Sequence, residues 1–272
     1  MKNTKKGNKE ITFRIGNKKI VLFKNIAEII FCSIILICCI TYFLSPKAVV
    51  ICTGRYNSSS GKDNNIVEEI FGREDAKERY ELYFQWFNVI HELGHGIIRA
   101  TDMKNMNGAE EEQLVNDFAV AYWRYYGEKE KFEEFESIVN YACNYLKNPT
   151  NEELTYMEYG KKYWGKSDFY NFKNYGYFQF NSNKSSLQNN KTLEQVLKEM
   201  GVEEFEITEQ VTLEYPEITE EVSRKIVQDA VLKFREWGIN YPEVYQKFDD
   251  NPNNNYSMYR RNVLGIYGLL YN

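Results

Sequence analysis

One uninterrupted apolar block near the N-terminus constrains the fold of this chain most. Residues 26–44 read Ile-Ala-Glu-Ile-Ile-Phe-Cys-Ser-Ile-Ile-Leu-Ile-Cys-Cys-Ile-Thr-Tyr-Phe-Leu, which is 19 residues with a single charge at Glu28. With a rise of about 1.5 Å per residue, such a helix is roughly 28 Å long, close to the hydrocarbon thickness of a bilayer. The block therefore predicts one transmembrane helix over residues 26–44, with Glu28 at the level of the lipid headgroups.

Charge is divided unevenly around this block. The 25 residues before it contain eight basic side chains and one acidic side chain. Residues 45–272 contain 26 basic and 37 acidic side chains, which gives this part a net charge of −11, whereas the net charge of the whole chain is −5. Basic flanks stay on the cytoplasmic side of a membrane helix. The pattern predicts a single-pass protein of the cell membrane, with a cytoplasmic N-terminus and with residues 45–272 outside the cell.

Two other interpretations of residues 26–44 stay open. The first is a cleaved signal peptide, although small residues should then precede the cleavage site, where this chain has Tyr42, Phe43 and Leu44. The second is a helix buried in a soluble core, although the block is apolar all round and adjoins a dense basic cluster.

Outside the block, the sequence predicts a basic N-terminal segment and one larger domain. In residues 1–25, two β-prone runs flank Gly16-Asn17 and predict a β-hairpin. Residues 45–272 show mostly helical periodicity, with a short strand at 48–52 and an Asn-rich loop at 165–190 that contains a candidate strand at 177–180. Helices are predicted at about 74–100, 109–126, 128–146, 151–163, 192–200 and 217–237. The predicted fold class is α+β, mostly α.

Both histidines of the chain lie in one short motif, His91-Glu-Leu-Gly-His95. On a helix, residues four apart share a face, so both imidazoles can bind one Zn²⁺. Glu92 lies about 100° round the helix, where its carboxylate reaches a water on the metal rather than the metal itself. A carboxylate that accepts the proton of such a water is typical of zinc hydrolases, which predicts Glu92 as the catalytic base.

The third zinc ligand must be a carboxylate. The chain has no further histidine, and no cysteine is well placed for a structural zinc site. The next predicted helix begins with Glu110, Glu111 and Glu112, and Asn116 shares a face with Glu112. This spacing predicts Glu112 as the ligand and Asn116 as a contact to a ligand histidine, with Glu111 as the rival ligand.

These motifs resemble a known class of enzymes. The pattern that carries the resemblance is His91-Glu-Leu-Gly-His95 followed by Glu112-x-x-x-Asn116-x-Phe118-Ala119. It resembles the gluzincin metallopeptidases, and more narrowly the ImmA/IrrE type, whose second motif is Glu-x-x-Ala-Asn-x-Phe-Ala. The likeness covers residues 84–123, and this chain has Val115 where that type has alanine. It implies a zincin-like catalytic domain over residues 45–272, with the same three ligands and the same base.

A zinc peptidase also requires a group that stabilises the oxyanion of the tetrahedral intermediate. Because both histidines are assigned to the metal, a tyrosine or an arginine must serve if any group besides the zinc does. Tyr177 and Arg99 are the candidates.

The leading hypothesis is therefore a membrane-anchored, zinc-dependent hydrolase of protein or peptide substrates. Two alternatives stay open. One is a zincin-like binding or immunity module that retains metal without proteolysis, and the other is a regulator protease of the ImmA/IrrE type that faces the cytoplasm. The lipid bilayer is an expected partner through residues 26–44. Nucleic acid is not, because the net charge is −5.

Overall fold

The structure is a computed structural model that separates the chain into two compact units, Met1–Lys47 and Ala48–Asn272. It describes residues 11–15, 18–23, 49–56, 67–103, 106–207 and 211–248. In the first unit, β1 (Ile11–Ile15) and β2 (Lys18–Phe23) pair antiparallel, with Ile15 opposite Lys18.

The apolar block at 26–44 lies outside the described residues, so its membrane helix stays a prediction. Within the ranges that the structure describes, no helix has both the length and the apolar character that crossing a bilayer requires.

The second unit is mostly helical with a small sheet, which confirms the predicted α+β class. Its elements in chain order are β3 (Val49–Thr53), α1 (Ala76–Glu81), a π-helical turn (Leu82–Phe87), α2 (Asn88–Ala100), α3 (Gly108–Tyr126), α4 (Lys129–Tyr145), α5 (Tyr156–Tyr163), a 3₁₀ turn (Ser167–Tyr170), α6 (Phe172–Asn189), α7 (Leu193–Glu199), α8 (Glu220–Glu236) and β4 (Val244–Phe248). β3 and β4 pair in parallel, from Val49 opposite Val244 to Thr53 opposite Phe248.

One continuous helical rod carries the histidine motif. It consists of α1, the π-helical turn and α2, which follow each other without a break from Ala76 to Ala100. All six side chains of the π-helical turn are buried, so the rod is surrounded by the core at this point. Such turns concentrate at functional sites, and this one ends where α2 begins.

α3 crosses α2 closely at Gly94. A Cβ at that position would lie 3.1 Å from atoms of both Val115 and Phe118 of α3. Glycine costs a helix on the order of 1 kcal/mol relative to alanine, and here it permits the two backbones to approach. Val115, the departure from the alanine of the ImmA/IrrE pattern, lies in this contact.

α6 corrects the sequence-based prediction for residues 165–190. The predicted loop is mostly helix, and the candidate strand at 177–180 lies inside α6. Asn171 caps this helix, because its side chain accepts hydrogen bonds from the backbone N–H groups of Lys173 (3.1 Å) and Asn174 (3.0 Å). The Asn residues that suggested a loop include the buried Asn183 of α6, where tertiary contacts override the weak helix propensity of asparagine.

Candidate metal centre

α2 presents both histidines to the interior. His91 and His95 are only 1% and 5% exposed, and their ring centroids lie 5.1 Å apart. A buried imidazole needs a partner at each ring nitrogen. The contacts of these four nitrogens therefore define the centre.

Glu112 of α3 faces the Nε2 atoms of both rings. Its Oε2 lies 3.3 Å from His91 Nε2, and its Oε1 lies 3.5 Å from His95 Nε2. A tetrahedral ion with bonds of about 2.1 Å places its ligand atoms about 3.4 Å apart. One ligand atom from each of the three residues lies within 4.8 Å of the others, so this buried group could hold a metal ion.

The Nδ1 atoms of the two histidines point away from Glu112 and have their own partners. His91 Nδ1 lies 2.7 Å from Asn116 Oδ1, and His95 Nδ1 lies 2.6 Å from Glu111 Oε1. With the proton on Nδ1, each ring donates to these acceptors and keeps its Nε2 lone pair for a cation. The structure thus brings Asn116 to His91, and it places the rival carboxylate of Glu111 behind His95 rather than beside Glu112.

Glu92 lies beside this group with one carboxylate oxygen held and the other unengaged. Asn88 Nδ2 donates to Glu92 Oε1 at 3.1 Å. Among the described residues, the buried Oε2 has no hydrogen-bond partner. Burial raises the pKa of Glu92 to about 7. An unpartnered carboxylate oxygen is costly in a core, and a water molecule shared with a bound ion would satisfy it.

His95 and Glu112 are oppositely charged when no metal ion is bound. Burial alone would lower the pKa of His95, but hydrogen bonds to Glu111 and Glu112 raise it to about 10. Burial alone would raise the pKa of Glu112, but hydrogen bonds from His91 and His95 hold it well below its usual value. An anionic Glu112 therefore has a cation beside it, and a metal ion would take over that position by displacing the His95 proton.

α6 adds a buried polar face to the centre. Asn116 Nδ2 donates to Gln179 Oε1 (2.7 Å) and to Ser182 Oγ (2.8 Å). Gln179 Nε2 donates to Glu112 Oε2 and, at 2.8 Å, to the hydroxyl of Tyr175. Neither Gln179 nor Asn88 is among the site residues that the sequence predicts. A predicted helix over residues 172–189 would have placed Gln179 and Ser182 on one face, because residues three apart are neighbours on a helix surface.

The two candidates for oxyanion stabilisation differ in where they lie relative to the centre. Tyr177 is on α6 two residues before Gln179, roughly 160° round the helix from it. Its ring packs against Tyr159, with centroids 5.6 Å apart, so the structure does not bring it to the ligands. Arg99 lies two turns after His91 on the same face of α2, and its charge helps to lower the pKa of Glu111, which burial alone would raise.

Another tyrosine lies closer to the motif. Tyr241, which precedes β4, is buried, and its hydroxyl donates to the backbone oxygen of Leu93 at 2.7 Å. It packs across Gly96, where a Cβ would come within 2.0 Å of that hydroxyl. The second glycine of α2 therefore accommodates this ring.

Comparisons with protein-family models, with curated proteins and with solved structures find no match to this chain. The function of this chain is therefore inferred from the geometry of the centre and from the residues that form it.

Proposed function

We propose that this chain is a zinc-dependent peptidase. The observation that supports the proposal best is the arrangement of four buried side chains. The two Nε2 atoms and the Glu112 carboxylate converge on one point, and Glu92 stands beside them with an oxygen that has no partner among the described residues. Two imidazoles and one carboxylate are the protein ligands of many catalytic zinc sites, which keep a further position open.

The roles of the residues follow from their contacts. Zn²⁺ held by His91, His95 and Glu112 would polarise a substrate carbonyl and lower the pKa of a water molecule. Glu92 accepts a proton at Oε2 and later donates it to the leaving amine. Asn88 fixes Oε1, so that Oε2 is the oxygen available for this transfer. A pKa of about 7, raised by burial, suits a group that must both accept and donate a proton near neutral pH.

The zincin-like fold and the likeness to ImmA/IrrE peptidases belong to the same proposal. Their support is the spacing of the two motifs and the α2–α3 crossing that brings the motifs together at Gly94. Membrane anchoring is also part of it and rests on residues 26–44 and the basic segment before them.

Enclosure of the centre favours a second candidate function. His91, Glu92, His95 and Glu112 are each at most 5% exposed. A peptide substrate requires a cleft in which its scissile bond reaches the metal. A binding module that retains a metal ion without hydrolysing anything has no such requirement.

Zinc content and peptide cleavage, measured on the full-length chain in mild detergent, separate the two candidates. We expect one zinc per wild-type chain and cleavage of fluorescein-labelled casein. Glu92→Gln should keep the zinc and slow cleavage by about 10²–10⁴-fold, because it removes the proton acceptor. His95→Ala should lose the zinc.

Each other result has a definite meaning. Glu92→Gln that cleaves casein at the wild-type rate overturns the proposed catalytic role. A wild-type chain that binds zinc but cleaves neither casein nor a mixed peptide library supports the binding module. A wild-type chain that binds no zinc overturns both candidates.

Topology is tested separately, by adding protease to intact cells. Cleavage within residues 57–65 supports an external catalytic domain. Protection in intact cells, followed by cleavage after lysis, would place the domain in the cytoplasm, as a tethered regulator protease requires.

A further inference from the structure

Gln179 is the side chain of α6 that contacts the metal centre most directly. It is 3% exposed, and all its hydrogen bonds are to buried groups. Its amide nitrogen donates to Glu112 Oε2 and to the Tyr175 hydroxyl, and its amide oxygen accepts from Asn116 Nδ2. Asn116 in turn contacts His91 Nδ1. Gln179 thus contacts one ligand itself and reaches a second ligand through one intermediate residue.

These hydrogen bonds form a series from His91 to Glu112, and the direction of each bond is fixed by the bond before it. A metal at His91 Nε2 requires the ring proton on Nδ1, so Asn116 Oδ1 must accept. The Asn116 amide group then points toward Gln179, whose oxygen must accept. The Gln179 amide group therefore faces Glu112, and an ionised carboxylate can only accept. Reversing either amide would place two donors or two acceptors in contact. One arrangement therefore satisfies the whole series of hydrogen bonds.

We propose that Gln179 is a positioning residue of the metal centre, which holds Glu112 directly and His91 through Asn116. The inference rests on the proposed metal site and deepens it. Two ligands on different helices are held by one side chain on a third helix, so their separation is set before an ion binds. Such preorganisation lowers the cost of assembling the site.

A merely structural role for Gln179 makes a different prediction. Asn183 is a matched control, because it lies one turn further along α6, is fully buried and donates to the Tyr83 hydroxyl at 2.8 Å. Its contact is to the aromatic core and not to a proposed ligand. If Gln179 only satisfies buried polar groups, then removing the amide of either residue should lower the stability of the fold and leave the metal affinity unchanged.

The experiment compares Gln179→Met with Asn183→Leu in the full-length chain in detergent. Both variants replace an amide by an apolar side chain of similar size. The zinc Kd is measured by competition with a chromophoric chelator, and Co²⁺ is used as a spectroscopic probe of ligand geometry. We expect Gln179→Met to weaken zinc binding by about 10–100-fold and to shift the visible Co²⁺ bands. Asn183→Leu should change the Kd by no more than about twofold, as expected for an independent site.

Outcomes are distinguishable from those that test the proposed function. A wild-type chain that binds zinc, together with an unchanged Kd and Co²⁺ spectrum in Gln179→Met, overturns this inference alone. An equal loss of affinity in Asn183→Leu also overturns it. If Gln179→Met does not fold, Gln179→Asn tests the same contacts, because its side chain is one methylene too short for the amide to contact both Glu112 and Asn116. A wild-type chain without zinc overturns the proposed function itself.

Discussion

At the scale of single residues, three glutamates near one another are distinguished by what their carboxylates contact. Glu112 faces both Nε2 atoms, Glu111 lies behind His95 at Nδ1, and Glu92 has an oxygen without a partner in the described part of the chain. The sequence alone left Glu111 and Glu112 as rivals. One position along a helix is about 100°, which is enough to move a carboxylate from one side of the imidazole to the other.

Replacing each of these two glutamates by glutamine should separate a ligand from an orienting residue. Glu112→Gln removes the carboxylate between the Nε2 atoms, so the chain should no longer bind stoichiometric zinc. Glu111→Gln keeps an acceptor for His95 but removes its charge, so zinc should remain stoichiometric with a Kd about 10–100-fold weaker. Equilibrium dialysis with zinc analysis measures both. A larger loss in Glu111→Gln than in Glu112→Gln would reverse the two roles.

Gly96 offers a prediction whose sign depends on tertiary packing. In an isolated helix, glycine to alanine is favourable by about 1 kcal/mol. Here the added Cβ would meet the Tyr241 hydroxyl at 2.0 Å and the ring Cζ at 2.6 Å. We therefore expect Gly96→Ala to lower the free energy of unfolding by about 1–3 kcal/mol, as overpacking does. Urea denaturation measures the change.

Tyr241→Phe supplies the control for that prediction. It removes the nearer of the two clashing atoms, so Gly96→Ala should cost less in the Tyr241→Phe background than in wild type. A double-mutant cycle gives this coupling directly. Stabilisation by Gly96→Ala in the wild-type background would contradict the packing at this position.

At the scale of elements, α3 supplies Glu112 and Asn116, and its start is fixed by a reciprocal cap. Ala109 N donates to Asn107 Oδ1 at 2.9 Å, and Asn107 N donates to Glu110 Oε2 at 3.2 Å. Because the Asn107 side chain is exposed, its effect on stability comes from capping and not from packing. The cap lies little more than one turn before the proposed ligand.

Asn107→Ala should therefore lower the free energy of unfolding by about 1 kcal/mol, since the Ala109 N–H at the start of α3 loses its acceptor. Urea denaturation again measures the change. Asn107→Asp keeps a good capping side chain and should remain close to wild type. Equal losses in the two variants would show that something other than capping acts at this position.

Sequence patterns succeed best for elements whose periodicity is strong. The motif helix, its partner α3 and α8 were predicted because their apolar residues recur at helical spacing, and the ends of α3 and α8 also carry caps or glycines. α6 was not predicted, because its polar residues face a buried polar neighbour instead of water. The interface between α6 and α3 is formed by hydrogen bonds from Asn116 to Gln179 and Ser182, and these contacts are known only from the folded structure. β4 was missed as well, because five residues with alternate exposure give a weak signal.

At the scale of the whole molecule, metal binding and folding should be linked. The ligands come from two consecutive helices, α2 and α3, and they meet only when these helices pack against each other in the folded state. A ligand that binds only the folded state stabilises it by RT ln(1 + [L]/Kd), about 4 kcal/mol at a free concentration one thousandfold above Kd. For a domain of this size, that raises Tm by roughly 8–16 °C.

Differential scanning calorimetry with zinc and with excess chelator measures this gain, and its pH dependence has a definite sign. The pKa of His95 is raised to about 10 by its contacts with Glu111 and Glu112, against the opposing effect of burial. Zinc must displace that proton, so the zinc-dependent gain should be larger at pH 8 than at pH 6. A Tm that is independent of zinc in the wild-type chain, or a gain that falls with rising pH, would contradict the linkage.

The enclosure of the centre also has a kinetic consequence. In the closed arrangement, protein ligands that are each at most 5% exposed keep a chelator, and equally a peptide substrate, away from an ion at the centre. Release must then wait for a local opening of the helices around it, an event governed by the protein and not by the chelator. Zinc should therefore leave in a first-order process whose rate no longer depends on chelator concentration once that is high. The half-time of zinc loss would report directly how often the folded domain opens.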